Sequence, residues 1–423
     1  MSVMAVPKNK TSTCGPINPE LVKALFPIFR NNPLTQNLSY LDNAATSQKP
    51  EVVMQAMDDA MRLFHSPVNR GFYPLAEQST KRYEKARERL QSFIGAETQK
   101  SVIFTASATD SINQVAQGFL LPRLKPGQNV WVTRMEHHAN YLPWQDACKK
   151  SGASLCIIEL TGTGELDIDR YPEIFSYSTA MIALTQTSNV SGITNNVKAI
   201  CERAKQKNIP VLVDAAQAVV SNTINVRELS CDFLVFSAHK MFGPNGIGLL
   251  YIAPELLNEV QPIRLGGGMV DFTADNIDDT IWSEAPHRFE AGSPNFVGAI
   301  GFASACDFVE SLGQANIKAH IGDLATTLYQ ALSDYPNLHL VSSAQHLSSG
   351  IVSFYHDIIH AHDLAQIMGD SGVAVRAGHH CAQPLLKHLG VSSTLRISIS
   401  VYNTIDDINA AINALEYAEK VFS

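Results

Sequence analysis

The feature that most constrains the fold is a repeated alternation of short apolar segments with helical segments, which begins near residue 100. The apolar runs end in turn-forming residues, and the stretches between them have the apolar spacing of helices. Short strands that are apolar on both faces are typical of a buried parallel sheet, so the pattern predicts an α/β fold built from βαβ units. The predicted strands cover 101–104, 130–132, 155–158, 180–184, 211–213, 232–236 and 247–252, and the predicted helices cover 111–120, 144–150 and 197–207.

The pattern changes after about residue 300, where long helical segments replace the regular alternation. The apolar spacing predicts helices at 298–312, 317–332 and 406–422, with strands at 351–354 and 395–398 between them. This mixture of long helices and a few strands indicates a smaller α+β domain. The predicted division is an N-terminal extension and segment packing on the small domain (1–37), a large domain (38–300) and a small C-terminal domain (301–423).

Charge and hydropathy argue against two classes of function. The 423 residues include 32 lysines and arginines against 40 aspartates and glutamates, a net charge of −8. A mildly acidic chain without a basic run is a poor nucleic-acid binder. No apolar run is long enough to cross a bilayer, and the first ten residues lack the pattern of a signal peptide. We therefore expect a cytoplasmic protein that binds neither nucleic acid nor membrane.

The cysteines indicate reduced thiols and no structural zinc site. Their spacing contains no CxxC pair and no Cys/His metal pattern. Reduced thiols agree with a cytoplasmic location, and most of them are expected to be small buried hydrophobic residues. The seven cysteines stand at positions 14, 148, 156, 201, 231, 306 and 381.

The most informative residues stand where two predicted strands end. Asp214 follows the strand at 211–213, and Lys240 follows the strand at 232–236 by a few residues. Ligands of α/β sheets bind beyond the carboxyl ends of the strands. An Asp and a Lys in this place suit pyridoxal 5'-phosphate (PLP), because the amine bonds the aldehyde and the carboxylate keeps the pyridine nitrogen protonated. Taken singly, such an Asp often caps a helix, and a lone Lys is usually a solvated charge.

Further segments could complete a cofactor site. The turn 105–110 joins a strand to a helix, where backbone N–H groups and the Thr109 hydroxyl suit a phosphate dianion. Capping of the helix by Thr109 explains this turn about equally well. Ser237 and His239 stand beside the lysine and could contact the same phosphate. His137 could stack its flat imidazole on the cofactor ring, although a histidine pair more often serves loop hydrogen bonding.

These segments occur in the order found in cysteine desulfurases. From about Tyr40 to the C-terminus, the chain resembles the group II (Suf/Csd-type) branch within the class V aminotransferase superfamily. The resemblance implies the fold of PLP-dependent transferases of fold type I, with a mostly parallel sheet in the large domain, helices on both its faces, and a smaller α+β domain. The matching motifs lie at 137–140, 214–218, 237–240 and 376–384, and the last is the most specific because it centres on His379-His380-Cys381.

The resemblance implies a function for each matching cofactor residue. Lys240 would bond the PLP aldehyde, Asp214 would pair with the pyridinium nitrogen, and His137 would stack on the ring. Gln217 would hydrogen-bond the ring hydroxyl. The residues that would hold the phosphate are Thr109, Ser237 and His239.

The resemblance also implies how substrate and partner subunit are contacted. Asn189 and Arg396 would hold the substrate carboxylate, with Arg376 nearby, and Asn189 would also lie against the cofactor. An Arg suits this function because it can pair bidentately with a carboxylate. Ser293 would reach the phosphate of a neighbouring subunit, which implies a homodimer.

Two positions depart from the family pattern. Asn69 stands where the family often has a His, and an amide cannot titrate near neutral pH, which puts a proton-transfer role there in doubt. Ser107 stands where the family usually has Gly, and its Cβ is expected to strain or shift the phosphate turn.

The implied activity is conversion of L-cysteine to L-alanine, with the sulfur left as a persulfide on Cys381. Lys240 would remove the α-proton and the Cys381 thiolate would attack the substrate sulfur. An acceptor protein of the SufE/CsdE type would then collect the sulfur, for iron–sulfur cluster assembly. The alternatives are a selenocysteine lyase, which would depend less on Cys381, a class V aminotransferase, which has no use for this cysteine, and a non-catalytic protein of the same fold.

The surroundings of Cys381 favour a reactive thiol over a buried structural one. Arg376 and the two adjacent histidines are cationic or polar neighbours that favour the thiolate. The segment 376–384 is short and ends in a proline with a fixed φ, so we expect it to be stiff and to keep the sulfur partly enclosed. Release of the persulfide would then limit turnover.

Overall fold

The computed structural model describes residues 15–30, 32–69 and 71–422. The interpretations of the first ten residues and of Cys14 therefore lie outside the described residues. Across the described ranges, no single helix is both long and apolar enough to cross a membrane. One bent pair of helices, Phe296–Leu312 and Gln314–Ser333, passes that test by length and composition, with an angle of 73° between them.

The secondary structure follows the predicted alternation. The α-helices of the described chain are α1 (Pro19–Lys23), α2 (Glu51–Leu63), α3 (Pro74–Phe93), α4 (Ala108–Val115), α5 (Leu142–Ser151), α6 (Val197–Lys205), α7 (Val226–Leu229), α8 (Phe296–Leu312), α9 (Gln314–Ser333), α10 (Ala361–Asp370), α11 (Gln383–His388) and α12 (Ile405–Phe422). The strands are β1 (Ser39–Tyr40), β2 (Val102–Thr105), β3 (Asn129–Thr133), β4 (Ser154–Ile158), β5 (Thr179–Thr185), β6 (Val211–Asp214), β7 (Phe233–Ser237), β8 (Gly248–Ile252), β9 (Val270–Phe272), β10 (Ile281–Trp282), β11 (Leu338–Leu340), β12 (Ile351–His356), β13 (Val373–Ala374), β14 (Arg376–Gly378) and β15 (Thr394–Ser398).

The central sheet has seven strands in the order β2-β8-β7-β6-β5-β3-β4. Strands β3 to β7 pair in parallel, and β8 runs antiparallel to both of its neighbours, β2 and β7. Successive residues of one strand enter opposite cores: Val213 packs in one apolar cluster and Leu212 in the other. Helices α3, α6 and α8 contribute to the first cluster, and α4 and α5 to the second. The prediction of a mostly parallel sheet with helices on both faces is confirmed.

A second sheet lies in the C-terminal part of the chain. Its order is β11-β12-β15-β14, and all neighbouring strands are antiparallel. Strand β15 carries Arg396, and β14 begins at Arg376 and leads into the segment with Cys381. The division between the two domains at residue 300 stays a prediction. Residue 300 itself lies inside helix α8.

The N-terminal segment is anchored by one aromatic side chain. Phe26 is completely buried, and its ring packs edge-on against Tyr402 (4.7 Å between centroids), Phe308 (5.7 Å) and Phe242 (6.0 Å). Strand β1 then pairs in parallel with β13. These contacts bring Asp42, just after β1, beside the C-terminal strand β15, where Ser398 forms a β-bridge with it.

Candidate active site

A cavity of about 230 Å³ opens where β5, β6 and β7 end, and it is the meeting point of the predicted residues. Its lining residues range from Ala44 to Arg396 along the chain, and no local sequence pattern shows that they lie together. Of the predicted site residues, Ser293 alone does not line it. The predicted residues that do are Thr109, His137, Asn189, Asp214, Gln217, Ser237, His239, Lys240, Arg376, Cys381 and Arg396.

Asp214 and Lys240 form the centre of the site. Asp214 is the last residue of β6 and is 6% exposed, and one carboxylate oxygen accepts a hydrogen bond from the Ala216 N–H (2.9 Å). Burial raises the pKa of Asp214. Burial lowers the pKa of Lys240 to about 8, although the nearby Asp214 charge acts in the opposite direction. A lysine with this pKa has a sizeable neutral fraction near neutral pH, which an amine nucleophile or base requires.

His137 is held as a neutral ring. Its Nδ1 accepts a hydrogen bond from the Ala139 N–H (3.0 Å), so the remaining ring proton is on Nε2. Burial and, to a lesser extent, the Lys240 charge lower the pKa of His137 to about 4. A flat, uncharged imidazole at the cavity wall suits stacking on an aromatic ring.

Glu136 supports the loop that carries His137, and it was not among the predicted site residues. It is completely buried, and its carboxylate accepts hydrogen bonds from the Thr133 hydroxyl (2.6 Å), the Asn140 amide (2.6 Å) and the Thr185 N–H (2.9 Å). Burial raises its pKa to about 8. An acidic residue three positions after an apolar strand and next to a candidate histidine was the available signal.

The phosphate turn differs from the expectation in two respects. The cap of α4 is Ser107, whose hydroxyl accepts a hydrogen bond from the Asp110 N–H (3.2 Å), so the interpretation of Thr109 as the cap is wrong. The φ of Ser107 is −175°, which is extended backbone open to any residue, so the expected strain at Ser107 is also wrong. Within the described structure the Thr109 hydroxyl has no hydrogen-bond partner and remains available to an anion.

The turn is pressed closely against its neighbours. The Ala108 N–H donates to the Ser237 hydroxyl (2.8 Å). A Cβ at Gly248 of β8 would lie 2.6 Å from the Ser107 carbonyl carbon, so only glycine permits this approach. Helix α4 thus points its N-terminal end at the cavity, which is a favourable place for phosphate.

His239 completes this side of the cavity through both its ring and its carbonyl. Its Nδ1 lies 3.3 Å from the Thr46 hydroxyl, and burial lowers its pKa to about 4, which leaves the ring neutral. Its carbonyl oxygen accepts hydrogen bonds from Ser47 (3.1 Å) and from the Lys49 ammonium (3.0 Å). Lys49 was not among the predicted site residues, although this contact fixes the residue before Lys240.

Two arginines, on strands β14 and β15, also line the cavity. Arg396 is 2% exposed; it donates to the Asn189 carbonyl (2.9 Å) and to one oxygen of Asp42 (3.2 Å). Arg376 donates to the other oxygen of Asp42 (3.1 Å). Asp42, which was not among the predicted site residues, therefore bridges both arginines. The buried Nε of Arg396 has no partner among the described residues, and a bound carboxylate would satisfy it.

Cys381 sits on a segment held at several points. The His138 N–H donates to the Cys381 carbonyl (2.7 Å), the Asn189 amide donates to the His380 carbonyl (2.8 Å), and the Cys381 N–H donates to His379 Nδ1 (3.1 Å). His380 and Cys381 both have positive φ, 50° and 54°, a conformation that costs non-glycine residues about 1–3 kcal/mol each. These contacts agree with a stiff segment.

Two observations bear on the expectations about this cysteine. Cys381 lines the cavity and is exposed, and partial enclosure of its sulfur stays a prediction. His380 is buried against Thr394 (3.0 Å), and burial lowers its pKa to about 3. His380 is therefore neutral and supplies no positive charge to the thiol; in this part of the cavity the permanent positive charges are on Arg376 and Arg396.

Ser293 and Asn69 lie outside the cavity. Ser293 is exposed in a turn that follows Gly292, whose φ is 89°. Its predicted contact with a neighbouring subunit stays a prediction. Asn69 is exposed with a φ of 66°, a conformation that Asn tolerates better than most residues, and its N–H donates to the Thr80 hydroxyl (2.8 Å).

The donor set of the cavity fits PLP. A lysine of lowered pKa stands beside a buried carboxylate, a neutral imidazole flanks them, and a helix N-terminal end with a free hydroxyl faces the phosphate side. Together with the mostly parallel seven-stranded sheet, this arrangement is that of the PLP-dependent transferases of fold type I.

Comparison with known proteins narrows this class to one family. The Aminotransferase class-V family model matches residues 39–411, and the chain belongs to this family. A probable cysteine desulfurase of Halalkalibacterium halodurans is 40% identical over 406 residues, covering 96% of this chain and 99% of that protein. A cysteine desulfurase of Haloferax volcanii is 36% identical over 421 residues, covering 96% and 98%.

Solved structures agree with the sequence relatives. The crystal structure of the cysteine desulfurase CsdA (S-sulfonic acid) from Escherichia coli superposes with a TM-score of 0.89 at 35% identity, covering 97% of this chain and all of that one. The apo structure of a cysteine desulfurase from Thermococcus onnurineus gives a TM-score of 0.87 at 34% identity, covering 93% and 98%. The resemblance to group II cysteine desulfurases is confirmed.

Proposed function

We propose that this protein is a PLP-dependent cysteine desulfurase that converts L-cysteine to L-alanine and carries the sulfur as a persulfide on Cys381. The observation that carries the proposal is the position of an exposed cysteine at the mouth of the same cavity that holds Asp214, Lys240 and Arg396. The relatives named cysteine desulfurase match nearly the whole chain and support the same activity. An aminotransferase would use Asp214, Lys240 and Arg396 and would have no use for the thiol.

The proposed cofactor contacts follow the chemistry of the lining residues. Lys240 would bond the aldehyde, Asp214 would hold the pyridine nitrogen protonated, and His137 would stack on the ring. Gln217 already donates to the Ala44 carbonyl (2.9 Å), which orients its amide for the ring hydroxyl. When bound, PLP supplies the electron sink that stabilises a negative charge at the substrate Cα. The groups proposed to hold the phosphate are Thr109, Ser237 and His239.

The substrate carboxylate would be held by Arg396, with Arg376 nearby. Arg396 offers its unpartnered Nε, Asp42 fixes the plane of its guanidinium group, and Asn189 lies beside it. Arg376 adds positive charge at the same edge. The neutral amine of Lys240 would take the α-proton, because its lowered pKa lets it act as a base near neutral pH.

The sulfur step uses the exposed thiol of Cys381, which would react after losing its proton. Cys381 Sγ would attack the substrate sulfur, an S–S bond would form as the Cβ–S bond breaks, and the electron pair of that bond would remain with the carbon fragment. Protonation of this fragment yields alanine, while the persulfide stays on Cys381. The neutral His380 is not a proton donor for this step, so the proton would come from Lys240 or water.

The remaining proposals concern partners and location. The exposure of Cys381 suits transfer to an external acceptor protein of the SufE/CsdE type, for iron–sulfur cluster assembly. Exposed apolar side chains at Phe72, Phe272 and Ile281 suit a homodimer. Free cysteines throughout the described chain suit a reducing cytoplasm.

The activity is tested by incubating the PLP-loaded protein with L-cysteine and a thiol reductant. We expect equal amounts of alanine and sulfide, and mass spectrometry before reduction should find one added sulfur on Cys381. A Cys156→Ala variant is the matched control, since Cys156 is a half-buried thiol of β4 outside the cavity. Formation of the oxo acid without sulfide would indicate an aminotransferase instead. Turnover of selenocysteine that is unaffected by Cys381→Ala, without turnover of cysteine, would indicate a selenocysteine lyase.

A further inference from the structure

Glu290 is a buried carboxylate bonded on several sides. One oxygen accepts from Arg87 (2.6 Å) and from the Phe104 N–H (2.7 Å), and the other accepts from Arg87 (2.9 Å) and from the Tyr83 hydroxyl (2.9 Å). The Arg87 side chain is 0% exposed and that of Glu290 is 7% exposed. A carboxylate with four donors in a dry environment is held in one position.

One side of this ion pair fixes strand β2. This strand is at the edge of the central sheet, so its outward backbone groups lack a neighbouring strand. The Phe104 N–H is taken by Glu290, and the Val102 carbonyl accepts from Arg87 (2.8 Å). Strand β2 ends at Thr105 and leads directly into the turn that carries Thr109, so the ion pair sets where the phosphate turn begins.

The other side of the ion pair fixes the turn that carries Ser293. Glu290 lies three residues before Ser293, and the Gly292 N–H between them donates to the Gly267 carbonyl (2.7 Å). Beyond the turn, Asn295 caps α8 through the Gly298 N–H (2.9 Å). Ser293 is exposed, and the turn that carries it is anchored by these contacts before and after it.

We propose that Glu290 is a positioning residue that couples the two halves of the phosphate site in a dimer. Through Phe104 it positions this chain's own Thr109, and through its own backbone it positions Ser293 for the phosphate held by the partner subunit. This inference rests on the proposed function, specifically on PLP binding and on Ser293 crossing the interface. An ion pair that only stabilises the fold would affect both phosphorylated and unphosphorylated cofactor equally, and this difference is the basis of the test.

The first test compares Glu290→Gln with a matched variant. Glu84→Gln is the control, because Glu84 also accepts from Arg87 (2.9 Å) but has no hydrogen bond to β2 or to the Ser293 turn. Equilibrium binding of PLP and of pyridoxal, which lacks the phosphate, is followed by the visible band of the lysine-bonded cofactor. We expect Glu290→Gln to weaken PLP binding by about tenfold or more, as for loss of a charge-assisted hydrogen bond, and to leave pyridoxal binding within about twofold of wild type.

The control variant should show unchanged affinity for both compounds, with at most a lower unfolding temperature. Equal weakening of PLP and pyridoxal binding by Glu290→Gln, or no weakening at all, would overturn the proposal. If Glu290→Gln does not fold, Arg87→Lys replaces it, since lysine keeps the charge but loses the planar fork, and the same selective loss of PLP affinity is expected.

The second test uses mixed dimers in which Lys240→Ala silences the visible band of one subunit. With Glu290→Gln placed in the silenced chain, the working site has an altered Ser293 turn from its partner. With Glu290→Gln in the other chain, the working site has an altered phosphate turn of its own. The proposal requires weaker PLP binding in both arrangements, and an effect in one arrangement only refutes the coupling.

Failure of the underlying function is recognised separately. A wild-type protein that never develops the visible band refutes the cofactor assignment, whatever Glu290 does. Ser293→Ala in the wild-type background should weaken PLP binding and leave pyridoxal binding unchanged. An unaltered PLP affinity in that variant refutes the contact across the interface and not the hydrogen bonds of Glu290 within its own chain.

Discussion

Replacement of Arg396 by lysine tests whether this residue binds the substrate carboxylate. Arg396 bonds the Asn189 carbonyl and Asp42 with two of its nitrogens and has the third without a partner in the described chain. A lysine keeps the positive charge but has a single nitrogen, which cannot reach all three sites from one position. At least one charge-assisted hydrogen bond is therefore lost, at a cost of about 1.5–3 kcal/mol.

This cost corresponds to a decrease in kcat/KM of about ten- to a hundredfold, because each 1.4 kcal/mol is a factor of ten. The assay is the initial rate of alanine formation over a range of cysteine concentrations. Since the lost bond holds the substrate before and during the reaction, we expect most of the change in KM. The visible band of the cofactor should remain, because Arg396 is assigned to the substrate and not to PLP.

Arg376→Lys is the matched control for this substitution. Arg376 is half-exposed and donates only to Asp42 within the described structure, so its replacement should lower kcat/KM by several-fold at most. Equal effects of the two variants would refute the assignment of the carboxylate to Arg396. So would a decrease in kcat at unchanged KM, or loss of the cofactor band.

Lys240→Ala should abolish turnover and the visible band, and borohydride should fix the cofactor of the wild-type protein to Lys240; a stable adduct on another lysine would contradict the assignment. Because burial lowers the pKa of Lys240 to about 8, the rate at which the apo-protein captures PLP should rise about tenfold per pH unit and level off above about pH 8. A rise that continues to the ordinary lysine pKa would show that the amine is not buried. Cys381→Ala should end sulfide and persulfide formation while cofactor binding and exchange of the α-proton with solvent persist. Without an acceptor, wild-type alanine formation should show one rapid turnover per site and then a slow phase, and linear formation from the start would refute a sulfur carrier.

The sequence by itself determined the fold class and most of the chemical groups of the site. Strand and helix periodicity is local, so β6 and β7 were predicted within a residue or two, and with them the strand ends that carry Asp214 and near which Lys240 stands. The motif around Cys381 is contiguous and could be recognised without knowledge of its contacts. Other elements were not predicted. Helices α2 and α3 precede residue 100, where the predicted alternation begins, and the β9–β10 hairpin and strand β14 are short. The predicted helix 111–120 ends as α4 at Val115 and continues in a wider turn.

Only the tertiary structure decided which groups support the site and in what charge state they are. Asp42 and Arg396 are 354 residues apart, and Glu290 and Phe104 are 186 apart, so no pattern along the chain relates them. The pKa values of His380 and Lys240 depend on how much water the surrounding elements exclude, and a sequence motif does not contain that information. The exposure of Cys381 is decided in the same way, because it depends on where β14 and the His137 loop meet. Chemical identity is a property of single residues, whereas hydrogen-bond partners and burial are properties of the packed chain.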